Sequence, residues 1–190
     1  MGREDFVLLL QADVPSYGRR EVGSILTYFE ELTEAMTKLG EDPKVLFVGQ
    51  GVKYDGQRMY QSFKGVPEEK RLELPVAEDF QMGFCTGLAL EGFIPVCVYP
   101  RMDFLLLAAN QLVNHLDKMD GFSPKVIVRV AVGSSKPLNP GPQHTQDHVE
   151  AFRLMLKRIP VVEFGRGVYE EALKGSGSVV IVERMEKYGS

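Results

Sequence analysis

Residues 72–99 restrict what this chain can fold into more than any other stretch. They run Leu72-Glu-Leu-Pro75-Val-Ala-Glu78-Asp79 into a Gly-rich apolar segment and on through Ile94-Pro-Val-Cys97-Val-Tyr99. The order reads as a short strand ending at Pro75, a helix opening at or near Glu78, and a second buried strand from Ile94. Small residues at Gly83, Gly87 and Ala89 would let that helix lie close against a neighbour. Glu78 then stands where a strand gives way to a helix, the place where ligands gather in parallel α/β sheets. The helix dipole alone also favours a carboxylate there, so position by itself assigns no role.

The rest of the chain continues the alternation. Ser24 is a good N-cap for a helix whose apolar residues Ile25, Leu26, Phe29, Leu32, Met36 and Leu39 recur at three- and four-residue steps until Gly40. A buried strand follows over residues 44–48, turning at Gly49-Gln50-Gly51, and residues 54–69 read as a surface loop with one helical turn near Met59. Residues 104–116 are apolar on nearly every side, which predicts a helix buried in a large core or shared with a partner. The β-branched run 125–132 is a strand, and the Gly- and Pro-rich residues 133–146 form a loop long enough to suggest function. A helix capped by Asp147 and running to about Arg158 turns Val149, Phe152, Met155 and Leu156 inward; a strand at 161–164, a helix at 169–174 and a strand at 178–183 complete the pattern. The expected fold is a three-layer α/β/α domain over residues 24–190 with a mainly parallel sheet. An N-terminal arm and loop over residues 1–23 precedes it, with an apolar run at 6–10 as a strand or strap.

Composition excludes several partners. A formal charge of −4 without a basic block argues against nucleic acid, and no apolar run approaches the about 18 residues of a membrane span. A cytoplasmic protein is the expectation. Cys85 and Cys97 lie in apolar segments without metal-ligand spacing, so both are expected as buried free thiols and no metal site is expected on this chain.

Pro75-Val-Ala-Glu78, the Gly-rich helix and Gly92-Phe-Ile-Pro-Val96 together resemble the pyrimidine-binding domain of thiamine diphosphate enzymes. Val48-Gly49, Tyr54-Asp55-Gly56, Asn110-Gln111-Leu-Val-Asn114 and Gln143-His144-Thr-Gln146 occur in the same order in that family, across roughly residues 24–165. The likeness is to the beta subunit of the 2-oxo acid dehydrogenase decarboxylase component, with transketolase further off. It implies that Glu78 bonds a ring nitrogen of the aminopyrimidine and drives cofactor activation. It implies that His144 faces the substrate carbonyl as a second catalytic group, and that Gln50, Tyr99, Met102 and Phe104 adjoin the cofactor. His148 is expected on a helix surface and His115 in an interface or core.

The chain also departs from the family. Gln50 stands where the family has an acid that passes protons between paired sites, and an amide cannot pass one. The position of the ring that covers the aminopyrimidine holds Arg101 or Met102, with Tyr99 and Phe104 as substitutes. No Gly-Asp-Gly occurs, although the family uses one to hold Mg²⁺ against the diphosphate. The resemblance therefore implies half a site: thiamine diphosphate shared with a separate diphosphate-binding subunit that holds the Mg²⁺, in a homo- or hetero-oligomer acting on a small-molecule 2-oxo acid or ketose. The alternative is a binding or regulatory module that keeps the fold without the chemistry. A nucleotide-binding protein is disfavoured, since no Gly-x-Gly-x-x-Gly or phosphate loop is present.

Overall fold

Strands that alternate with helices and are apolar on both faces can bury themselves only between two helical layers, and this arrangement is found. A computed structural model of the protein describes residues 26–136 and 139–189. The expected N-terminal arm and loop, the apolar run at 6–10 and the Ser24 cap lie outside the described residues. Six strands, β1 (Val45–Gly49), β2 (Arg71–Glu73), β3 (Ile94–Tyr99), β4 (Ile127–Val132), β5 (Val161–Glu163) and β6 (Val179–Arg184), form one sheet in the order β2-β1-β3-β4-β6-β5. Every adjacent pair is parallel, as strands joined by crossover helices require.

Residue parity along each strand divides the core in two. Val96 and Val98 of β3, with Val179 and Ile181 of β6, pack beneath α1 (Tyr28–Glu41) and α6 (Val168–Lys174). Cys97 and Tyr99, with Val180 and Val182, face the other layer: α3 (Glu78–Leu90), the helical segment from Met102 to Lys118, and α5 (Val149–Met155). A short helix, α2 (Arg58–Gln61), sits in the loop between β1 and β2.

Three local expectations need correction. Thr27 caps α1: its hydroxyl accepts from Glu30 N–H at 3.3 Å, and its own N–H donates to Glu30 Oε2 at 2.8 Å. This capping box satisfies two orphan donors at once, so Leu26 precedes the helix. The expected continuous helix from residue 104 is instead a succession of short turns: α4 (Met102–Leu105), a 3₁₀ turn at Leu106–Ala108, a π-helical turn at Asn110–His115 and a 3₁₀ turn at Leu116–Lys118. Leu105, Ala108, Leu112 and Leu116 face the core, whereas Leu106, Leu107 and His115 are exposed. Third, α5 stops at Met155, which is exposed. The cause is Asp117, whose buried carboxylate accepts the N–H groups of Lys157, Arg158 and Ile159, each at 2.8 Å, and draws the chain out of the helix. No helix among the described residues is long and apolar enough to cross a membrane.

Candidate functional site

In a parallel sheet all strands end on one edge, and the loops leaving that edge converge. Gln50 follows β1, Glu78 opens α3 after β2, Arg101 and Met102 follow β3, and His144 lies in the loop after β4. The sequence-predicted residues therefore share one edge of the sheet. A cavity of about 350 Å³, lined in part by Phe122, Pro124, Ile159 and Ser178, lies at the opposite edge and contains none of them.

Glu78 is buried, with 5% of its surface exposed, in the first turn of α3. Gln50 Nε2 donates to its Oε1 at 3.2 Å. Its other carboxylate oxygen receives no hydrogen bond from the described residues. Below it, the Tyr99 hydroxyl donates to the Glu78 main-chain oxygen at 3.0 Å, fixing the start of the helix on β3. Burial pushes the Tyr99 phenol well above its ordinary range, so it remains a donor. One turn further on, Gln81 Nε2 donates to Val98 O at 2.8 Å, while its Oε1 is buried without a partner among the described residues. A side chain at Gly49 would put Cβ 2.4 Å from Val98 O and 2.9 Å from the Gln81 amide, so β1 and β3 approach here only because residue 49 is glycine.

The turn that carries Gln50 is held by a group the sequence reading missed. The Glu73 carboxylate, at the end of β2, accepts the N–H groups of Gly51, Val52 and Lys53 at 2.7, 2.8 and 2.8 Å. Hydrogen bonds to a charged acceptor each contribute about 1.5–3 kcal/mol. Glu73→Ala is expected to speed amide hydrogen exchange at residues 51–53 and to destabilise the protein by about 2 kcal/mol; unchanged exchange there would dismiss this role. The missed signal was a lone acid between two leucines in an edge strand, facing a Gly-flanked turn.

Tyr99 and Met102 do not serve as surfaces for a ring: each is 0% exposed. Met102 Sδ instead accepts the His148 N–H at 3.2 Å. Phe104 is only partly buried and meets His144 edge-on, ring centroids 5.5 Å apart at 84°. The loop that brings His144 there is pressed against the end of β4, since a Cβ at Gly133 would lie 1.7 Å from His144 O. His144 Nδ1 is buried without a hydrogen-bond partner among the described residues, and so is Nε2 of His148, which stands at the N-terminal boundary of α5 without a side-chain capping bond and is partly buried. The structure thus joins Glu78 to Gln50 and Tyr99, and Phe104 to His144, on neighbouring loops of one edge.

Cys85 and Cys97 are both buried free thiols. Among the described residues no cluster of three or more His, Cys, Asp or Glu could hold a metal ion.

No family model matches the chain. Among curated proteins it is 28% identical over 181 residues to the pyruvate dehydrogenase E1 component subunit beta of Staurastrum punctulatum, covering 87% of this chain and 54% of that protein. It is 29% identical over 181 residues to the chloroplastic pyruvate dehydrogenase E1 component subunit beta-4 of Oryza sativa subsp. japonica, covering 87% and 44%. A solved structure described as a split gene transketolase, inactive beta4 tetramer, superposes with a TM-score of 0.63 at 20% identity, over 82% of this chain and 50% of that one. The fold is that of the pyrimidine-binding domain of thiamine diphosphate enzymes. The chain spans about half the length of the curated relatives it matches.

Glu78 is thus a buried carboxylate with one oxygen that takes no hydrogen bond from the described residues.

Proposed function

We propose that this chain is the pyrimidine-binding subunit of a split thiamine diphosphate-dependent enzyme, acting with a separate diphosphate-binding chain on a 2-oxo acid or a ketose. The observation that carries the reading is Glu78: buried at the head of a helix, held through one oxygen by Gln50, with the second oxygen unclaimed by the described residues. Bound thiamine diphosphate supplies a carbon nucleophile that adds to a carbonyl. Glu78 holds the proton on the pyrimidine ring nitrogen, Gln50 fixes the Glu78 rotamer, and Phe104 orients His144 toward the substrate carbonyl. Gln50 cannot carry a proton onward, so the proton handled by Glu78 stays local. Mg²⁺ belongs with the diphosphate on the partner chain. Two buried free thiols suit a reducing compartment such as the cytoplasm.

The test is reconstitution. The chain mixed with its diphosphate-binding partner, Mg²⁺ and thiamine diphosphate is expected to turn over a 2-oxo acid or a ketose. A complex that forms without turnover would favour the non-catalytic module, a reading that draws on Gln50 and on the missing ring. Tight cofactor binding by the isolated chain would contradict the half-site argument.

The surface available to a partner is the outer face of α3 and the helical turns packed against it. Val76, Phe80 and Leu107 are more than half exposed there, and Phe80 stacks on Phe84 with centroids 5.8 Å apart. Exposed apolar side chains gathered on one face mark association surfaces. Leu107→Asp is expected to shift the oligomer toward monomer in sedimentation velocity without loss of helical circular dichroism. An unchanged sedimentation coefficient would place the interface elsewhere.

A further inference from the structure

We propose that Arg101 takes the terminal oxyanion of the substrate, a carboxylate or a phosphate, at the site that Glu78 serves. The inference rests on the functional reading above and adds a specificity-determining residue to it. Arg101 directly follows Pro100 at the end of β3, in extended conformation, and opens the helical segment that carries Phe104. Its Nη1 donates to Pro100 O at 2.6 Å, while its Nε is buried with no hydrogen-bond partner among the described residues. No carboxylate among the described residues is ion-paired with it. Burial holds its guanidinium below the ordinary arginine value, against the through-space pull of Tyr188 and Asp103. Arg101 is partly buried, an arginine keeps its charge in such a place, and the N–H withdrawn from water is normally paired.

The surroundings say what would pair with it. The methylene chain of Arg101 passes the end of β4 where Gly133 has no side chain, its Cδ 3.2 Å from where a Cβ would be, and the His144 carbonyl occupies the same gap. Arg101 and His144 therefore meet at one point. His144 Nδ1 and His148 Nε2, both after β4, also lack partners among the described residues. Among the described residues, three nitrogens on two interleaved segments are thus buried without partners, and the one that must donate, Arg101 Nε, is not bonded by Asp103 Oδ2, which is itself buried without a partner. Guanidinium presents parallel N–H groups that match a carboxylate or a phosphate, which is the occupant this arrangement lacks.

A guanidinium could instead lie flat over the cofactor ring, since Arg101 is near the position where the resembling enzymes place an aromatic residue. That would press a full positive charge on a heterocycle to which Glu78 must direct a proton, and it would leave Nε unpaired. The oxyanion assignment satisfies Nε and puts no charge on the ring.

The test reads Arg101 directly. In the ¹⁵N-labelled chain, the arginine Nε–H signal that disappears in Arg101→Met is followed while inorganic phosphate or pyruvate is added. A saturable shift of that signal with phosphate identifies a phosphorylated substrate, a shift with pyruvate alone identifies a 2-oxo acid, and either supports the assignment. No shift with either anion overturns it. Backbone amide spectra of Arg101→Met confirm that the variant is folded. Glu78→Gln is expected to retain the shift, so failure of the cofactor reading and failure of this one give different results. In the reconstituted enzyme, Arg101→Met should raise KM roughly tenfold or more with a smaller change in kcat, and Arg101→Lys should recover part of the loss. Unchanged KM in Arg101→Met overturns the proposal.

Discussion

Glu183→Gln is expected to destabilise the fold by about 3–5 kcal/mol, the usual cost of stranding one partner of a buried ion pair. Arg129 on β4 and Glu183 on β6 are each 0% exposed and meet in two bonds, Nε to Oε1 at 2.7 Å and Nη2 to Oε2 at 3.1 Å. Register explains the meeting. Ala131 pairs with Glu183, so Arg129, two residues earlier, points to the same face. The hydroxyl of Tyr169 donates to Oε1 at 2.5 Å, that of Tyr188 donates to Oε2, and the guanidinium carbon lies 4.8 Å from the Phe63 ring centroid. Burial lowers the guanidinium pKa, but Glu183 and the two tyrosines outweigh it and raise it above the ordinary value. Burial and Glu183 likewise push both phenols up. Removing the negative charge leaves the cation without compensation, and urea unfolding should show a lower midpoint at unchanged slope. A domain of this size has about 5–15 kcal/mol in hand, so the loss would be a large fraction of the total. Arg129→Met combined with Glu183→Leu should recover part of the loss, because no charge is then stranded, although the Tyr169 and Tyr188 hydroxyls lose their acceptor. A double variant as unstable as the sum of the singles would show that the pair acts through packing alone.

The same network marks where the amino-acid sequence stops being legible. The six strands, their order along the chain and the two-faced sheet follow from apolar runs alternating with helical periodicity, since each run admits one burial solution. Glu78 was legible because its place, between Pro75 and a Gly-rich helix, is local. Arg129 and Glu183 are 54 residues apart, and their pairing depends on which strands become neighbours. The Glu73 clasp on residues 51–53 and the Asp117 clasp on residues 157–159 are hidden for the same reason, each being a carboxylate reaching across a crossover. Tyr99 and Met102 turn inward for reasons that residue type does not show: Tyr99 shares its strand face with Cys97, and Met102 opens α4 on the same half of the core. The π-helical turn at Asn110–His115 has no compositional signature, because it is set by packing on α3, where Gln111 reaches Asp79 at 3.2 Å and covers Gly83.

Glu78→Gln should abolish turnover in the reconstituted enzyme, with a loss of about 10²–10⁴-fold, while leaving the fold intact. The two outcomes separate because an amide of the same shape keeps the packing and the one hydrogen bond of this buried side chain. Its one hydrogen bond among the described residues comes from Gln50, and an amide oxygen can still accept it. The helix start is fixed by Tyr99 on the main-chain oxygen, which the substitution does not touch. The remaining cost is the lost charge at a helix N-terminus, about 0.3–1 kcal/mol. An amide of the same shape cannot take up a proton, so only the proton transfer fails. Gln50→Leu makes the complementary measurement. It leaves the carboxylate but removes the donor that orients it, and a drop of roughly tenfold is expected, about 1.4 kcal/mol of lost positioning. If Gln50→Leu were as damaging as Glu78→Gln, the carboxylate would be ineffective without the donor that orients it, and the two side chains would act as one unit. If Glu78→Gln retained full turnover, the acid would be only a helix-terminal charge, and the catalytic reading of this chain would have to be abandoned.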